Sequence, residues 1–267
     1  MDVATARLLT DVTSDFYRRF ARSFSDTRQS AWPGWDRCAQ LARAHLSDAP
    51  AASGRALRVL DLACGNLRFE RFLAQAIAPA QTTFFAVDGC GELLAAPLSA
   101  PASQPLDVRT VRLDVMDTLF AGGSLADALA QGGVEPCDLS VSFGFLHHVP
   151  LASQREQVLR SLVDLTRPGG LVVVSLWRFL DDEAFARKAR AQHERNAAAL
   201  GLPPLADNDM VLGWQNDPTA YRFCHSFTDG EVDELACAVR PRAFELERFR
   251  ADGRTGAMND YLVLQVR

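Results

Sequence analysis

The chain has 267 residues, 48% hydrophobic and 23% charged, with a net charge of −5 at pH 7. That length buries a core without disulfide or metal staples, and no run of about 18 apolar residues is available to cross a bilayer. The acidic balance, with Lys188 as the one lysine, argues against a wide phosphate-gripping surface, which is usually basic.

In chain order, the first 50 residues read as helices outside any sheet, and their opening stretch has no basic-then-apolar pattern of an export signal. "ALRVLDLA" (56–63) is an apolar strand and "FERFLAQAIA" (69–78) a helix. "TTFFAVD" (82–88) is the next strand, "CGELLAAPL" (90–98) a helix interrupted by Pro97, and "AAPLSAPASQPL" (95–106) a small-residue surface loop. "DVRTVRLD" (107–114) alternates as a further strand, and "AGGSLADALAQGGVEP" (121–136) reads as a second surface loop. "CDLSVSFGF" (137–145) and "GLVVVSLW" (170–177) are strands around the helix "ASQREQVLRSLVDLT" (152–166), where Val158, Leu162 and Leu165 keep helical spacing. Residues 180–201 form a long polar helix closed by Gly201, 202–214 a loop, and 229–239 a short helix. "AFELERFRA" (243–251) and "AMNDYLVLQVR" (257–267) make a hairpin about the turn "DGRTG". Strand–helix alternation predicts an α/β fold on a parallel sheet, with the hairpin adding one antiparallel strand.

The six cysteines form no CxxC pair, so neither a zinc ribbon nor a redox dithiol is expected. Free thiols fit a cytoplasmic setting.

"VLDLACGNLRF" (59–69) is a strand feeding a turn that points free backbone N–H groups above the sheet edge. Only Gly65 is a glycine; Ala63 and Leu67 stand where two more would be. Pyrophosphate binding requires the full G-x-G-x-x-G, and no GK[ST] follows to make a P-loop. A phosphate-free nucleoside ligand fits: S-adenosylmethionine (SAM), whose ribose diol seeks a carboxylate. Asp88 ends the second strand 23 residues after Gly65, near the spacing of about 20 for a ribose-binding acid.

"VLDLACGNLRF", "VDG", "RLDVMD", "DLSVSFGFLHHVP" and "LTRPGGLVVVSLW", in this order, resemble class I SAM-dependent methyltransferases. The resemblance covers roughly 55–180 and 243–267 and implies a Rossmann-like, mostly parallel seven-stranded sheet with one antiparallel strand, helices on both faces and an N-terminal helical cap. One domain is expected, as cap (1–54), SAM core (55–180), helical and loop insertion (181–242) and terminal hairpin (243–267). It implies Asp61, Ala63 and Gly65 at the methionine end of SAM, Asp88 on the ribose with Gly89 beside it, and Asp114 and Val115 at the adenine edge. The backbone carbonyl of Phe143 would take the SAM ammonium.

"DFYRRFARSFSDTRQSAWPGW" (15–35) and "YRFCHSFTDGEVDEL" (221–235) are similar to two segments of the tRNA wobble-uridine carboxymethyl methyltransferases. That resemblance implies esterification of a carboxylate, which is ionised at neutral pH and needs no general base. Arg28 and Arg222 are the candidate carboxylate clamps, since a guanidinium forks onto a carboxylate; His225 could add a hydrogen bond, and Tyr17 and Trp32 could stack on a base. Arg28 is also placed to meet the SAM carboxylate, Trp32 to be a packing anchor and His225 to be a core histidine. His147 and His148 follow the fourth strand, facing the methyl in this fold: one is a candidate base, both could wall the SAM pocket, and metal is not expected because no carboxylate or third histidine lies at ligand spacing nearby. Eukaryotic relatives of this kind work with a small activating protein. Two other readings stand beside tRNA: a small-molecule O- or N-methyltransferase, and a non-catalytic binding subunit on a degenerate SAM fold.

Overall fold

The computed structural model describes residues 1–46, 54–95, 106–215 and 217–267. Two helices come first, α1 (Val3–Asp26) and α2 (Pro33–Leu46), as expected of the N-terminal cap. The alternating core follows: β1 (Leu57–Leu62), α3 (Arg68–Ala76), β2 (Thr82–Asp88), α4 (Gly91–Ala95), β3 (Asp107–Arg112), α5 (Val115–Phe120), α6 (Leu125–Gln131), β4 (Cys137–Ser142), α7 (Ala152–Asp164) and β5 (Thr166–Trp177). Then come α8 (Glu183–Ala199), β6 (Asp209–Trp214), β7 (Asp217–His225), α9 (Asp229–Ala238), β8 (Ala243–Ala251) and β9 (Asn259–Val266).

Seven strands form one sheet in the order β3-β2-β1-β4-β5-β9-β8. β9 runs antiparallel to both its neighbours and the other pairs are parallel. Because side chains alternate along a strand, this sheet buries apolar residues on both faces. Val59, Phe84, Val141, Val173 and Val263 face Trp35 and Leu41 of α2 and Phe69 and Leu73 of α3. Leu60, Phe85, Val172, Val174 and Leu264 face Val158 and Leu162 of α7, Leu125 and Leu129 of α6 and Val232 of α9. β3 is an edge strand, which explains its more alternating sequence.

Gly201 closes α8 as expected, at φ 62°, with Leu202 N–H donating to Ala197 O and Gly201 N–H to Ala198 O. Two expected loops are not loops. In 202–214, β6 pairs antiparallel with β7 as a separate two-stranded sheet, with Met210, Val211 and Leu212 buried. Within 121–136, α6 starts at the cap Ser124 and buries Leu125 and Leu129 at i, i+4 spacing. The expected loop at 95–106 and the end of the N-terminal region fall largely on residues 96–105 and 47–53, outside the described residues.

The small sheet positions the cap. α1 lies along β7 and against α4. The Phe223 N–H donates to Thr13 Oγ1 at 2.9 Å, and Thr13 Oγ1 donates back to Leu9 O at 2.8 Å. At the other end of the cap, Asp252 in the β8–β9 turn accepts from Gly34 N–H at 2.9 Å, near the start of α2. The same carboxylate accepts from Asn259 Nδ2 at 2.8 Å and Tyr261 Oη at 2.5 Å.

Candidate active site

The C-terminal ends of β1 to β4, the cap helices and β7 enclose a cavity of about 1010 Å³. Single-ligand pockets run to about 1,000 Å³, so this one has room for a cofactor and an acceptor together.

Its floor is the turn after β1. Ala63, Gly65 and Leu67 all take the left-handed conformation, at φ 62°, 61° and 54°. The turn needs three αL positions, yet only one residue is a glycine. L-residues pay about 1–2 kcal/mol for each such position. Leu67 is held there by burial against Ala86 and Leu94. At Gly65 a Cβ would meet nothing within 4 Å, so its backbone faces open cavity. Asp88 braces the turn: its Oδ2 accepts from Gly65 N–H at 2.8 Å and its Oδ1 from Cys90 N–H at 2.8 Å. Burial pushes the Asp88 carboxyl up, and those two amides pull against it.

Gly89 sits close enough to β3's end that a Cβ there would stand 3.4 Å from Asp114 Cα. Asp114 caps α5, accepting from Asp117 N–H at 3.0 Å, and Val115 opens that helix, buried. Ala63, Gly65, Asp88, Gly89, Asp114, Val115 and Phe143 all line the one cavity. The Phe143 ring is packed on Phe69, centroids 4.8 Å apart. Asp61 lies deeper, off the main cavity, beside the buried Glu70. Burial, then the charges of Glu70 and Asp88, push Asp61 well up, and burial pushes Glu70 to about 7. Two buried carboxyls at such a site share one proton.

Tyr17, Trp32, Arg28, Arg222 and His148 come together in the same cavity. Trp32 stacks on Trp35 with centroids 5.5 Å apart. The Arg28 guanidinium lies 4.4 Å from the Phe24 ring centre and 5.3 Å from Trp214. Arg222 lies 5.3 Å from Phe16 and 5.1 Å from Trp214. Sequence reasoning missed Arg68, which opens α3, lines the cavity, and donates to Ser30 O at 2.7 Å. Among the described residues, Arg28, Arg68 and Arg222 form no ion pair with any carboxylate. Burial, then Arg28's charge, lower Arg68 to about 10. Arg28 is lowered by burial and then by Arg222.

His148 is fully engaged. Its Nδ1 faces Phe223 O at 2.6 Å, so it carries the proton there, and its Nε2 then accepts from Tyr17 Oη at 2.8 Å. Burial, then Arg222's charge, push His148 down to about 3, and burial pushes Tyr17 up to about 12. His147 is driven well below the ordinary histidine range by burial, then by His148. Cys224, from β7, brings its thiol near both histidines, with ligand atoms within 4.8 Å of one another. Local spacing concealed that approach, but both nitrogens of His148 are already hydrogen-bonded.

His225 is the candidate that the structure places elsewhere. It lies outside the cavity lining, with Nδ1 2.7 Å from Asp209 Oδ1 and Nε2 2.8 Å from Glu231 Oε1. There it ties β6, β7 and α9 together. The reason is strand parity: residues three apart on β7 point to opposite faces, so Arg222 and His225 cannot share one.

A family model described as a methyltransferase domain matches residues 60–172. No curated protein matches the chain in sequence. Among solved structures, a SAM-dependent methyltransferase from Methanosarcina mazei is similar at 14% identity, covering 89% of this chain and 98% of that one, with a TM-score of 0.57. A 1,6-didemethyltoxoflavin-N1-methyltransferase from Burkholderia thailandensis is similar at 18% identity, covering 95% and 88%, with a TM-score of 0.53. A magnesium protoporphyrin IX methyltransferase from Synechocystis is similar at 14% identity, covering 95% and 97%, with a TM-score of 0.52. The turn, the strand order and the match over residues 60–172 together show that the chain carries a methyltransferase domain and has the fold of the SAM-dependent methyltransferases it is similar to.

Proposed function

We propose that this methyltransferase esterifies a carboxylate on its acceptor, with Arg28 and Arg222 as the clamp. The observation that supports it is the set of cavity arginines with no carboxylate partner among the described residues. Burying an uncompensated cation is costly, and an anionic acceptor relieves that cost. Arg28 and Arg222 are ready to fork onto it, their guanidinium planes held over aromatic rings.

SAM would supply an electrophilic methyl on its sulfonium. The αL turn with open space over Gly65 fits such a ligand, with Asp61, Ala63 and Gly65 toward the methionine end, Asp88 toward the ribose, and Asp114 and Val115 toward the adenine. The Phe143 carbonyl would take the ammonium. The protein's part is then to hold the acceptor carboxylate in line and to exclude water, which accounts for several kcal/mol of barrier. His148, pushed down to about 3, stays a neutral imidazole at neutral pH, its one proton on Nδ1, and is a weak base. That suits a nucleophile already ionised and weighs against an acceptor that must lose a proton.

The N-terminal and late motifs support a wobble uridine of tRNA as the carrier of that carboxylate, with Trp32 and Tyr17 as stacking surfaces. A small carboxylic acid is the second reading. It is favoured by the cavity's mixed charge, where Glu92, Asp114 and Asp117 stand beside Arg18 and Arg112. We read the cap, core, insertion and hairpin as one working unit in either case. Methyl-labelled SAM and cell extract test this. Label that is released by mild base and found in tRNA supports the first carrier; the same label in small molecules supports the second. Label that resists base overturns carboxylate esterification. Arg28→Ala and Arg222→Ala should each cut turnover by about tenfold or more.

A further inference from the structure

The outer face of α8 carries cations with nothing to balance them. Arg187, Lys188, Arg190 and Arg195, which include the chain's one lysine, are all exposed. None of the four joins an ion pair among the described residues. Several exposed arginines elsewhere are paired: Arg18 with Asp15, Arg37 with Glu247, Arg160 with Glu156 and Arg242 with Asp164. Glu183 and Glu194 share the helix, so four cations stand against two acids there, in a chain of net charge −5. The fold fixes where these side chains point. The opposite face of α8 covers the free edge of β6: Val211 N–H donates to His193 Nδ1 at 3.1 Å, Asn196 Nδ2 donates to Val211 O at 2.9 Å, and Gly213 N–H donates to Gln192 Oε1 at 3.4 Å. Ala186 and Ala189 are buried on that side. These contacts run in opposite senses along the two elements, so the N-terminal half of α8 lies toward Trp214, the end of β6 whose ring meets Arg28 and Arg222. Phe185, in the first turn of α8, lines the cavity itself. The cations therefore begin beside the cavity and continue away from it, over a helical rise of about 12 Å from Arg187 to Arg195.

The chemistry of that face selects its partner. The exposed residues among the cations are small: Ala184, Ala191, Ala198 and Ala199. A protein partner is held by large buried anchors, and a membrane by apolar side chains set below its headgroups; this face offers neither. Phosphates need only cations and close approach. We propose that the outer face of α8 binds the phosphate backbone of the RNA whose acceptor nucleotide enters the cavity. This rests on the tRNA reading of the carboxylate's carrier. The acidic balance of the chain confines such contact to one narrow track, in place of a wide basic surface.

The test measures binding of labelled, unfractionated tRNA to the full chain by anisotropy, from about 50 to about 200 mM salt. A variant carrying Arg187→Gln, Lys188→Gln, Arg190→Gln and Arg195→Gln should bind about tenfold or more weakly at the low-salt end. Its log–log salt slope should flatten by about 2–3, since each phosphate contact contributes about 0.7–0.9. Arg195→Gln alone should flatten the slope by about 0.7–0.9. Arg240→Gln, at an exposed cation between α9 and β8 that is also outside the ion pairs of the described residues, should leave it unchanged. The denaturation midpoint should stay in place in every variant, which shows that each folds. If the wild type binds tRNA and the fourfold variant keeps its affinity and slope, the face is merely solvated; this inference is overturned and the tRNA reading stands. If Arg240→Gln flattens the slope as much as Arg195→Gln, charge acts from anywhere on the surface and the track is overturned. A wild type that does not bind tRNA takes down the carrier and this inference together; polyglutamate held by the same four residues would then make an acidic protein the occupant.

Discussion

Replacing Ala63 by glycine should stabilise the protein, and replacing Leu67 by glycine should do the opposite, although both residues occupy the same left-handed conformation, at φ 62° and 54°. For Ala63→Gly, relief of the αL clash is worth about 1–2 kcal/mol. The extra freedom of glycine in the unfolded chain takes back about 0.4–1 kcal/mol. The net gain of about 0.5–1 kcal/mol raises the melting midpoint by about 1–3 °C for a chain of this size. At Leu67 the same backbone relief applies, but the side chain is 2% exposed and packed on Ala86 and Leu94. Deleting a buried leucine side chain costs about 3–5 kcal/mol, so Leu67→Gly should lose about 2–4 kcal/mol net. Denaturant unfolding of the wild type and the two variants reads both signs. A lower midpoint for Ala63→Gly, or variants moving in the same direction, would refute the balance of backbone strain against burial.

Gly34→Ala should destabilise the junction between cap and sheet by about 1–3 kcal/mol, the usual cost of overpacking. A Cβ there would lie 2.4 Å from Tyr261 Cζ, and that ring is pinned by its hydroxyl on Asp252; an unchanged denaturation midpoint would show that Tyr261 can move aside. Glu231 gives a pH dependence. Burial raises its carboxyl, but the hydrogen bond and charge of His225 outweigh that and hold it at about 2, below its ordinary 4.5. A carboxyl depressed on folding stabilises fully above its unfolded pKa and loses that contribution as pH falls from 4.5 toward 2. Urea midpoints should therefore drop more steeply between about pH 5 and about pH 3 in the wild type than in Glu231→Gln; parallel profiles would exclude the contact as a source of acid sensitivity.

The sheet was legible because its signal is local. Each strand carries its own apolar pattern, and Gly65 and Asp88 sit at fixed points of one βαβ unit. β6 was hidden because Met210, Val211 and Leu212 follow Pro203, Pro204 and a run of turn-forming residues, and three apolar residues are too few to show a period. The site is harder, since its contacts join distant segments. Tyr17 meets His148 across 131 positions, and no local spacing encodes that. Arg68 escaped notice because it reads as an ordinary first-turn residue of α3; only the fold brings Ser30 and Trp35 to it. His225 was a different kind of miss, since the information was present. Once residues 217–225 are taken as a strand, side-chain alternation places Arg222 with Cys224 and sends His225 to the opposite face. A motif read as a string treats neighbours in sequence as partners, whereas on a strand only every second residue can face the same ligand. That parity explains why Cys224, which the motif ignores, lies beside His148 at 3.9 Å while His225 bonds Asp209 and Glu231 outside the cavity.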